Sequence, residues 1–259
     1  MLVRVLTALI ALLLFIPLVL YGSWPLELVM VALAALGMTE FLQMKKTPIH
    51  SIPAIISIVG TGAIVLADRF TPFLGDLGML KIILAVIILL FVYSLGHLDY
   101  TTFEIGSIIL MLSYIGIGFY SFVALRNYSL PHLGLILLVI WSTDSGAYLI
   151  GRKIGKRKLS PSISPNKTIE GSVGGTLLSA VISGIYLIYY PLFESYLLSL
   201  LFMMFLSVMG QAGDLIESKI KREFNTKDSG HLLPGHGGIL DRFDSTLLVL
   251  NILFIIGIL

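Results

Sequence analysis

The sequence predicts an all-α, polytopic integral membrane protein with about nine transmembrane helices. Its composition is the first observation, because 57% of the 259 residues are hydrophobic and only 12% are charged, whereas roughly 25% of a soluble domain is charged. The second observation is a series of apolar runs of about 20 residues, the length that a helix needs to cross a bilayer. The third is a marked asymmetry of Lys and Arg between successive loops.

The apolar runs define the predicted spans in chain order. The first run follows Arg4 and resembles a secretory signal peptide, but it is longer than such a peptide needs and no Ala-x-Ala-like cleavage site follows. We therefore interpret it as the first membrane helix. The second and third runs are alternatively a re-entrant pair, and the last run is short. The predicted spans are residues 4–22, 26–44, 50–67, 78–96, 103–124, 131–151, 170–190, 193–214 and 243–259.

Positive charge is distributed unevenly between the two ends of these predicted helices. Nine helices place the N-terminus and every even-numbered loop on one face, and most Lys and Arg residues fall there. The opposite face receives Arg69, Lys81 and Arg126. By the positive-inside rule the basic face is cytoplasmic. The sequence thus predicts a protein of the cell (inner) membrane whose polar loops face the cytoplasm.

Polar residues are concentrated in the C-terminal half of the chain. We divide the sequence into N-terminal helices 1–3 (residues 1–72), middle helices 4–5 (residues 73–125) and C-terminal helices 6–9 (residues 126–259). The last group carries two long, basic loops, at about 152–169 and 215–242. The first two groups offer few polar groups inside the membrane. We therefore expect an active site at the cytoplasmic side of the C-terminal helices.

The segment WSTDSGAYLIGRKIGKRKLS, which begins at Trp141, contains the first candidate residue. Asp144 lies about two helical turns before Arg152, or roughly 12 Å at helical rise, and so within or at the edge of the bilayer. A carboxylate at that depth is costly unless it is paired, hydrated or metal-bound, and such residues are commonly functional. The alternative is an ion pair with a basic residue of a neighbouring helix.

The segment SPSISPNKTIEGSVGG, residues 160–175, contains the second candidate site. Lys167 precedes an apolar helix for which Thr168 is a suitable N-cap, and a helix N-terminus beside a lysine is suited to binding an anion. Gly171, Gly174 and Gly175 allow close approach of a ligand or of another backbone. The Walker P-loop order is absent. The alternative is a capped helix start whose glycines serve helix packing.

A long polar stretch, GQAGDLIESKIKREFNTKDSGHLLPGHGGILDRFD, covers residues 210–244. Asp214 and Glu217 are three residues apart and share one helix face, as do Ser218 and Lys221 with them. Asp241 and Asp244 repeat this spacing at the start of the last helix, with basic residues between the two pairs. Carboxylates bind hard divalent cations such as Mg²⁺, and lysine and arginine bind phosphate. The mixture predicts a site for a metal-nucleotide substrate.

Two other interpretations of this stretch are possible. His231 and His236 are five residues apart, but there is no His-Glu-x-x-His motif and the chain has no cysteine, so zinc is disfavoured. The histidines suit hydrogen bonding to phosphate or orientation of the loop. A loop that binds anionic lipid headgroups would explain the lysines. It would not explain four carboxylates near the membrane, or the glycines of the sequence PGHGG.

At these residues the chain resembles the phosphatidate cytidylyltransferase family, also called CDP-diacylglycerol synthases. The blocks WSTDSGAY and SPNKTIEG also resemble family blocks, although Asn166 stands where the family more often has lysine. The motifs cover the C-terminal half, and the first 125 residues match only as apolar helices. The signature in this chain is Ser218-x-x-Lys221-Arg222, Lys227-Asp228, Pro234, His236-Gly237-Gly238 and Asp241-Arg242-x-Asp244.

The resemblance implies that CTP and phosphatidate react, with Mg²⁺, to give CDP-diacylglycerol and pyrophosphate for phospholipid synthesis. It also implies a homodimer in contact with membrane lipids, and no nucleic-acid partner. The implied catalytic residues are Asp144, Asp214, Lys227 and Asp241. The implied substrate-binding residues are Ser164, Lys167, Thr168, Ser218, Lys221, Arg222, His236, Gly237, Gly238 and Arg242. The implied metal ligands are Asp144, Asp214 and Asp241, with Asp244 as a further candidate.

Two rival functions remain at the level of sequence. An ion-coupled transporter would fit an intramembrane Asp144 and glycine-rich broken segments, but no inverted repeat is visible and the polar residues cluster at one face. A CTP-dependent transferase that acts on another lipid acceptor, such as a polyprenol, would share every motif above. Selection of cytosine rests on the resemblance alone.

Overall fold

Apolar α-helices make up most of the computed structural model, which describes residues 13–230 and 237–258. Ten helices and two short strands follow one another along these residues. Their order is α1 (residues 13–21), α2 (Ser23–Met44), α3 (Ile52–Val65), α4 (Ala67–Leu74), α5 (Gly78–Ser94), α6 (Thr102–Tyr128), α7 (Leu130–Ile154), β1 (Lys158–Ser160), β2 (Ser164–Thr168), α8 (Ile169–Tyr189), α9 (Tyr196–Glu223) and α10 (Leu240–Ile255).

Within the described residues, a helix lies at the position of each predicted span, although the ends differ by several residues. Within the described chain, α2, α6, α7, α8 and α9 are the five helices that are long and apolar enough to cross a membrane. The pair α3 and α4 makes a sixth if it is taken as one span, and α5 is a shorter apolar helix. These helices are those of an integral membrane protein. The count of nine spans stays a prediction, and part of the first predicted span lies outside the described residues.

The third predicted span, residues 50–67, corresponds to α3, and a sharp bend follows at its end. Helices α3 and α4 meet at Leu66 and are bent by 87° relative to each other. Pro72 lies inside α4, where its ring cannot donate a backbone hydrogen bond. The sequence suggested a re-entrant arrangement of the second and third spans, but α2 is a continuous helix of 22 residues. The bend therefore lies between α3 and α4, at the end of the third predicted span.

The loop between α7 and α8 contains the strands that the all-α prediction missed. Strands β1 and β2 pair antiparallel, with Lys158 opposite Thr168 and Ser160 opposite Ser164. The hairpin leads directly into α8, because Thr168 ends β2 and caps the helix. The fold is thus nearly all-α, with one small hairpin immediately before a helix N-terminus.

The chain divides into two compact units. The first contains Met1–Asn127, Asp228–Arg242 and Leu250–Leu259, and the second contains Tyr128–Lys227 and Phe243–Val249. In the first unit α2 packs on α3, and α3 packs on α5. In the second unit α7, α8 and α9 pack against one another. The boundary after Asn127 lies close to the predicted start of the C-terminal group, and the division into three groups stays a prediction.

Close packing of α7 on α8 depends on glycine. A Cβ atom on Gly175 would lie 2.6 Å from the carbonyl oxygen of Thr143, and one on Gly174 would lie 2.5 Å from the side chain of Ile150. A Cβ atom on Gly171 would lie 2.7 Å from the carbonyl oxygen of Ala147. Such distances leave no room for a methyl group, so these glycines serve helix packing, as the second interpretation of this segment proposed.

Candidate active site

A cavity of about 440 Å³ lies within the second unit. Helix α7, strand β2, the first turn of α8 and the middle of α9 contribute its walls. Its lining combines acidic, basic and amide side chains with small residues, which is unusual for a surface of membrane helices. The lining residues are Asp144, Ala147, Tyr148, Gly151, Arg152, Leu159, Asn166, Lys167, Thr168, Gly171, Ser172, Gln211 and Asp214.

Asp144 is exposed to this cavity from α7. Next to Asp144, the hydroxyl group of Thr143 contacts the neighbouring helix α9. The hydroxyl of Thr143 donates to the carbonyl oxygen of Val139 at 2.7 Å and lies 2.7 Å from the hydroxyl of Ser207 on α9. Because both hydroxyls are buried, this contact links α7 to α9 inside the unit. The part of α7 that carries Asp144 is therefore held against α9 beside the cavity.

Lys167 and Asp214 form an ion pair at the same cavity. The Lys167 Nζ lies 2.5 Å from the Asp214 Oδ2, and the two side chains are 27% and 31% exposed. The hydroxyl of Ser218, one turn further along α9, donates to the other carboxylate oxygen of Asp214 at 3.3 Å. The predicted residues Lys167, Asp214 and Ser218 are thus in contact, and the charge of Lys167 also acts on Asp144.

Asp244 adds a third carboxylate to this group from α10. Its charge interacts with those of Asp214, Asp144 and Lys167, all in the same unit. The approach of the two helices requires a glycine, because a Cβ atom on Gly213 would lie 2.6 Å from the carbonyl oxygen of Asp244. We refer to Asp144, Lys167, Asp214 and Asp244 as the cavity cluster. It contains three acidic groups and one cation.

The cavity cluster has the donor chemistry of a site for a hard divalent cation. Three carboxylates offer only oxygen atoms, which Mg²⁺ prefers. Across residues 13–230 and 237–258, no three acidic or histidine side chains stand close enough together to hold one ion as they are placed. Asp214 is instead engaged with Lys167. The residue types fit the predicted ion, and the identity of its ligands stays a prediction.

The N-terminus of α8 forms the edge of the cavity. The side chain of Thr168 accepts a hydrogen bond from the Gly171 backbone N–H at 3.1 Å, so the predicted N-cap is confirmed. Glu170 accepts hydrogen bonds from the backbone N–H groups of Lys156 and Arg157 at 3.0 and 3.1 Å. These bonds hold the start of the hairpin against the first turn of α8.

Asp241 belongs to a different network, within the first unit. Its Oδ2 accepts hydrogen bonds from the Ser229 backbone N–H at 2.9 Å, from the Ser229 hydroxyl at 3.0 Å and from the Gly238 backbone N–H at 2.8 Å. Gly237, just before, has a positive φ of 80°, which favours glycine. Asp241 and the predicted residues Gly237 and Gly238 thus shape the chain before α10, and a metal-binding role for Asp241 stays a prediction.

The same network contains Glu40, a residue of α2 that is only 5% exposed. Its carboxylate accepts hydrogen bonds from the Ser229 hydroxyl and from the backbone N–H groups of Ile239 and Leu240. We refer to Glu40, Ser229, Gly238 and Asp241, with these backbone donors, as the loop network. In this network, backbone N–H groups and the Ser229 hydroxyl donate hydrogen bonds to the carboxylate oxygens of Glu40 and Asp241.

The other predicted residues have varied surroundings. Lys221 pairs with Glu217 at 2.6 Å, and both side chains are largely buried. Arg222 donates to the carbonyl oxygen of Thr226 at 3.2 Å, while Lys227 and Arg242 are exposed and Ser164 is half-buried on β2. His231 and His236 lie outside the described residues.

Sequence reasoning missed three polar residues that shape these regions. Gln211 lines the cavity and donates to the hydroxyl of Thr176 at 3.0 Å. Glu170 anchors the hairpin, and Glu40 anchors the loop network. Of the three, Glu40 carries a signal in the sequence, because it is an ionisable residue within the predicted apolar span 26–44.

Comparison with known proteins assigns these features to a family. Residues 2–259 match the sequence profile of the cytidylyltransferase family. The chain is 42% identical to a Bacillus subtilis (strain 168) protein named phosphatidate cytidylyltransferase, over 97% of this chain and 95% of that protein. Proteins of the same name from Staphylococcus haemolyticus (strain JCSC1435) and Staphylococcus aureus (strain COL) are 41% and 40% identical, each over 98% of both chains.

These matches cover almost the whole length of each chain, including the N-terminal helices for which the motifs gave no guidance. They are well above the similarity at which a shared family is in question, and they agree with the family that the signature residues indicated. A nucleotidyltransferase also fits the mixed charges of the cavity cluster. The chain belongs to the cytidylyltransferase family and is a membrane-bound nucleotidyltransferase.

Proposed function

We propose that this protein transfers the cytidylyl group of CTP to phosphatidate, giving CDP-diacylglycerol and pyrophosphate for phospholipid synthesis. Its relatives carry the name phosphatidate cytidylyltransferase over nearly their full length. The apolar helices suit an enzyme whose lipid substrate is held in the bilayer by two acyl chains. Both substrates are anionic, so their reacting phosphates must meet at a site that offers positive charge at headgroup depth.

The observation that carries this proposal is the cavity of about 440 Å³ with Asp144, Lys167 and Asp214 in its lining. Its volume is within the usual range of small-molecule sites, about 300–1,000 Å³. Acidic and basic groups on one wall suit a substrate that combines phosphates with a divalent cation. A purely structural ion pair would not need an open cavity beside it.

The reaction requires positioning more than proton transfer. An oxygen of the lipid phosphate forms a bond to the α-phosphorus of CTP, while the bond from that phosphorus to the oxygen of the β-phosphate breaks and pyrophosphate leaves. The attacking phosphate is largely ionised at neutral pH, so no strong general base is needed. Lys167 would hold phosphate oxygens, and the end of α7, the first turn of α8 and the middle of α9 would fix the reacting groups in line. Lys221, Arg222, Lys227 and Arg242 stay proposed phosphate contacts.

The residues proposed to hold Mg²⁺ are Asp144, Asp214 and Asp244, whose charges interact within one unit. The ion would offset the negative charge that develops on pyrophosphate. The sequence predicts Asp241 as a ligand too, but its Oδ2 accepts hydrogen bonds from the Ser229 and Gly238 N–H groups and shares the Ser229 hydroxyl with Glu40. Those contacts favour a role for Asp241 in shaping the loop before α10.

We further propose that the cavity opens toward the cytoplasm. Helices α7 and α9 both end in basic residues, Arg152 and Lys153 in the first and Lys221 and Arg222 in the second. The positive-inside rule places such ends in the cytoplasm, where CTP is available. A homodimer in the inner membrane is the proposed assembly.

The test is turnover of purified protein in detergent with Mg²⁺, phosphatidate and each of CTP, ATP, GTP and UTP. Release of pyrophosphate and labelling of the lipid are expected with CTP alone. Equal turnover with all four nucleotides would contradict cytidylyl transfer. Turnover with a polyprenol-type acceptor but not with phosphatidate would identify the other acceptor class, and no pyrophosphate with any acceptor would favour a transporter.

A further inference from the structure

Glu40 is a carboxylate buried in α2, far along the chain from the cavity cluster. It is 5% exposed, and it is one of two acidic residues in a helix of 22 residues, the other being Glu27. Burying a carboxylate is strongly unfavourable unless hydrogen bonds replace its hydration. The side chain therefore needs specific donors, and the structure supplies them from a segment about 200 residues later in sequence.

Those donors are the first backbone groups of α10. The Ile239 N–H donates to the Glu40 Oε1 at 2.7 Å, and the Leu240 N–H donates to the Glu40 Oε2 at 3.0 Å. The N-cap residue of α10, Ile239, has no side chain that can accept a hydrogen bond. A helix N-terminus leaves such N–H groups without partners in the helix, and a negative charge stabilises that end. Glu40 thus caps α10 from another helix.

The same carboxylate also holds the segment before α10. The Ser229 hydroxyl lies 3.0 Å from the Glu40 Oε2 and 3.0 Å from the Asp241 Oδ2. In addition, the Asp241 N–H donates to the Ser229 oxygen at 3.3 Å. A hydroxyl has one hydrogen to donate, so Ser229 serves one carboxylate at a time while it joins both. We refer to residues 228–239, which precede α10, as the signature loop. Ser229 near its start and Ile239 at its end are both hydrogen-bonded to Glu40 and thereby tied to α2.

Two glycines of the signature loop are needed for this arrangement. A Cβ atom on Gly230 would lie 2.7 Å from the Glu40 Oε1, and one on Gly238 would lie 2.5 Å from the same oxygen. A side chain at either position would displace the carboxylate. The close approach of the backbone to Glu40 therefore explains why glycine is needed at both positions, without a bound substrate.

We propose that Glu40 is a positioning residue for the cytidylyl transfer, and this proposal rests on the proposed function. By capping α10 and holding both ends of the signature loop, Glu40 sets where the helix starts and how it is rotated. Asp244 lies one turn beyond Asp241 in the same helix. A shift of the first turn would therefore be carried along α10 to a residue of the cavity cluster.

The test compares Glu40→Gln with Glu27→Gln, the same substitution in the same helix. Glu27 pairs with Arg69 and is 14% exposed, so it is a matched control outside the loop network. In Glu40→Gln, the new amide would turn its NH₂ group toward one of the backbone donors. We expect turnover at saturating CTP to fall roughly 10- to 100-fold, the effect of losing a hydrogen bond to a charged group, and to be unchanged in Glu27→Gln.

Hydrogen exchange gives a readout that does not depend on activity. The amides of Ile239 and Leu240 are expected to exchange faster in Glu40→Gln than in the wild type, while amides in the middle of α9 are unchanged. Glu40→Asp keeps the charge on a shorter side chain, and it is expected to recover part of the turnover. Ser229→Ala removes one donor only, and it is expected to lower turnover by a smaller factor with the fold retained.

Wild-type turnover in Glu40→Gln, or unchanged exchange at Ile239 and Leu240, would overturn the proposal. If Glu40→Gln does not fold, unchanged turnover in Ser229→Ala would overturn it as well. Failure of the proposed function has a different signature, because the wild type itself would then show no CTP turnover. The exchange measurement would still report whether Glu40 caps α10.

Discussion

The two acidic regions of the molecule satisfy their carboxylates in different ways. In the loop network, Glu40 and Asp241 accept hydrogen bonds from Ser229 and from backbone N–H groups at 2.7–3.0 Å. In the cavity cluster, the negative charges of Asp144, Asp214 and Asp244 repel one another, and Lys167 is the neighbouring cation. The first set of carboxylates is held by backbone N–H groups and a hydroxyl, whereas in the second set Asp144 and Asp214 line a cavity and Asp244 is a neighbouring acidic group.

This difference indicates different tasks. Carboxylates that are saturated by backbone donors lock a chain segment in place, and removing them leaves those donors without partners. Like-charged groups beside a cavity repel one another, which costs stability. Such a cluster indicates a functional site, where a bound ligand would offset the repulsion between the charges. The comparison predicts that substitutions in the cavity cluster change catalysis more than stability, and that those in the loop network change both.

The largest effect is expected from Asp214→Asn. Loss of this charge should lower CTP turnover by about 10²–10³-fold, comparable to removing one group that stabilises a transition state, while the free energy of unfolding changes little. Turnover and thermal unfolding in detergent check the two parts of this prediction.

Glu223→Gln is the matched control for Asp214→Asn. Glu223 lies in the last turn of the same helix, is 59% exposed and faces Lys219, so this variant should behave as the wild type. Wild-type turnover in Asp214→Asn would show that the acidic wall of the cavity has no catalytic task, and the comparison would then fail.

A smaller loss is expected from Lys167→Met, which removes the cation of the cavity cluster. Hydrogen bonds to charged groups contribute about 1.5–3 kcal/mol, so kcat/KM for CTP should fall roughly 10- to 100-fold. Steady-state kinetics with varied CTP measures the effect. Lys219→Met is the control, because Lys219 is 64% exposed on α9. Equal kinetics in the two variants would make Lys167 a structural partner of Asp214 and nothing more.

The smallest effect on the reaction, and the clearest one on stability, is expected from Asp241→Asn. An amide oxygen carries less negative charge than a carboxylate oxygen, so the hydrogen bonds from the Ser229 and Gly238 N–H groups should weaken and the free energy of unfolding should fall by about 1–3 kcal/mol. Denaturant unfolding in detergent measures this change. Asp99→Asn, at an exposed loop position, should stay within about 0.5 kcal/mol of the wild type. A fully stable Asp241→Asn that has lost turnover would instead restore Asp241 as a metal ligand.

The sequence predicted the helices well because crossing a bilayer demands long apolar segments, and within the described residues a helix lies at the position of each predicted span. It also predicted the Thr168 cap and the polar wall that contains Asp144, Lys167 and Asp214. These features depend on residues close together in sequence, or on charge within an apolar helix. Local information is sufficient for them.

Long-range features could not be obtained in the same way. Asp241 and Asp244 are both in the first two turns of α10, and which of them joins Asp214 depends on how that helix is rotated. The hairpin β1–β2 has strands of three and five residues without an apolar alternation. Glu40 carried a signal as an acidic residue in an apolar helix, but its donors are 189–200 residues away in sequence, so no local pattern could name them.

The distance in sequence between Glu40 and its donors has a consequence for biosynthesis. Helix α2 leaves the ribosome and enters the bilayer long before Ser229, Ile239 and Leu240 have been translated. Contacts of such separation form late, because the intervening chain must first be arranged. The nascent polypeptide can therefore complete the loop network only after the start of its final helix has been synthesised.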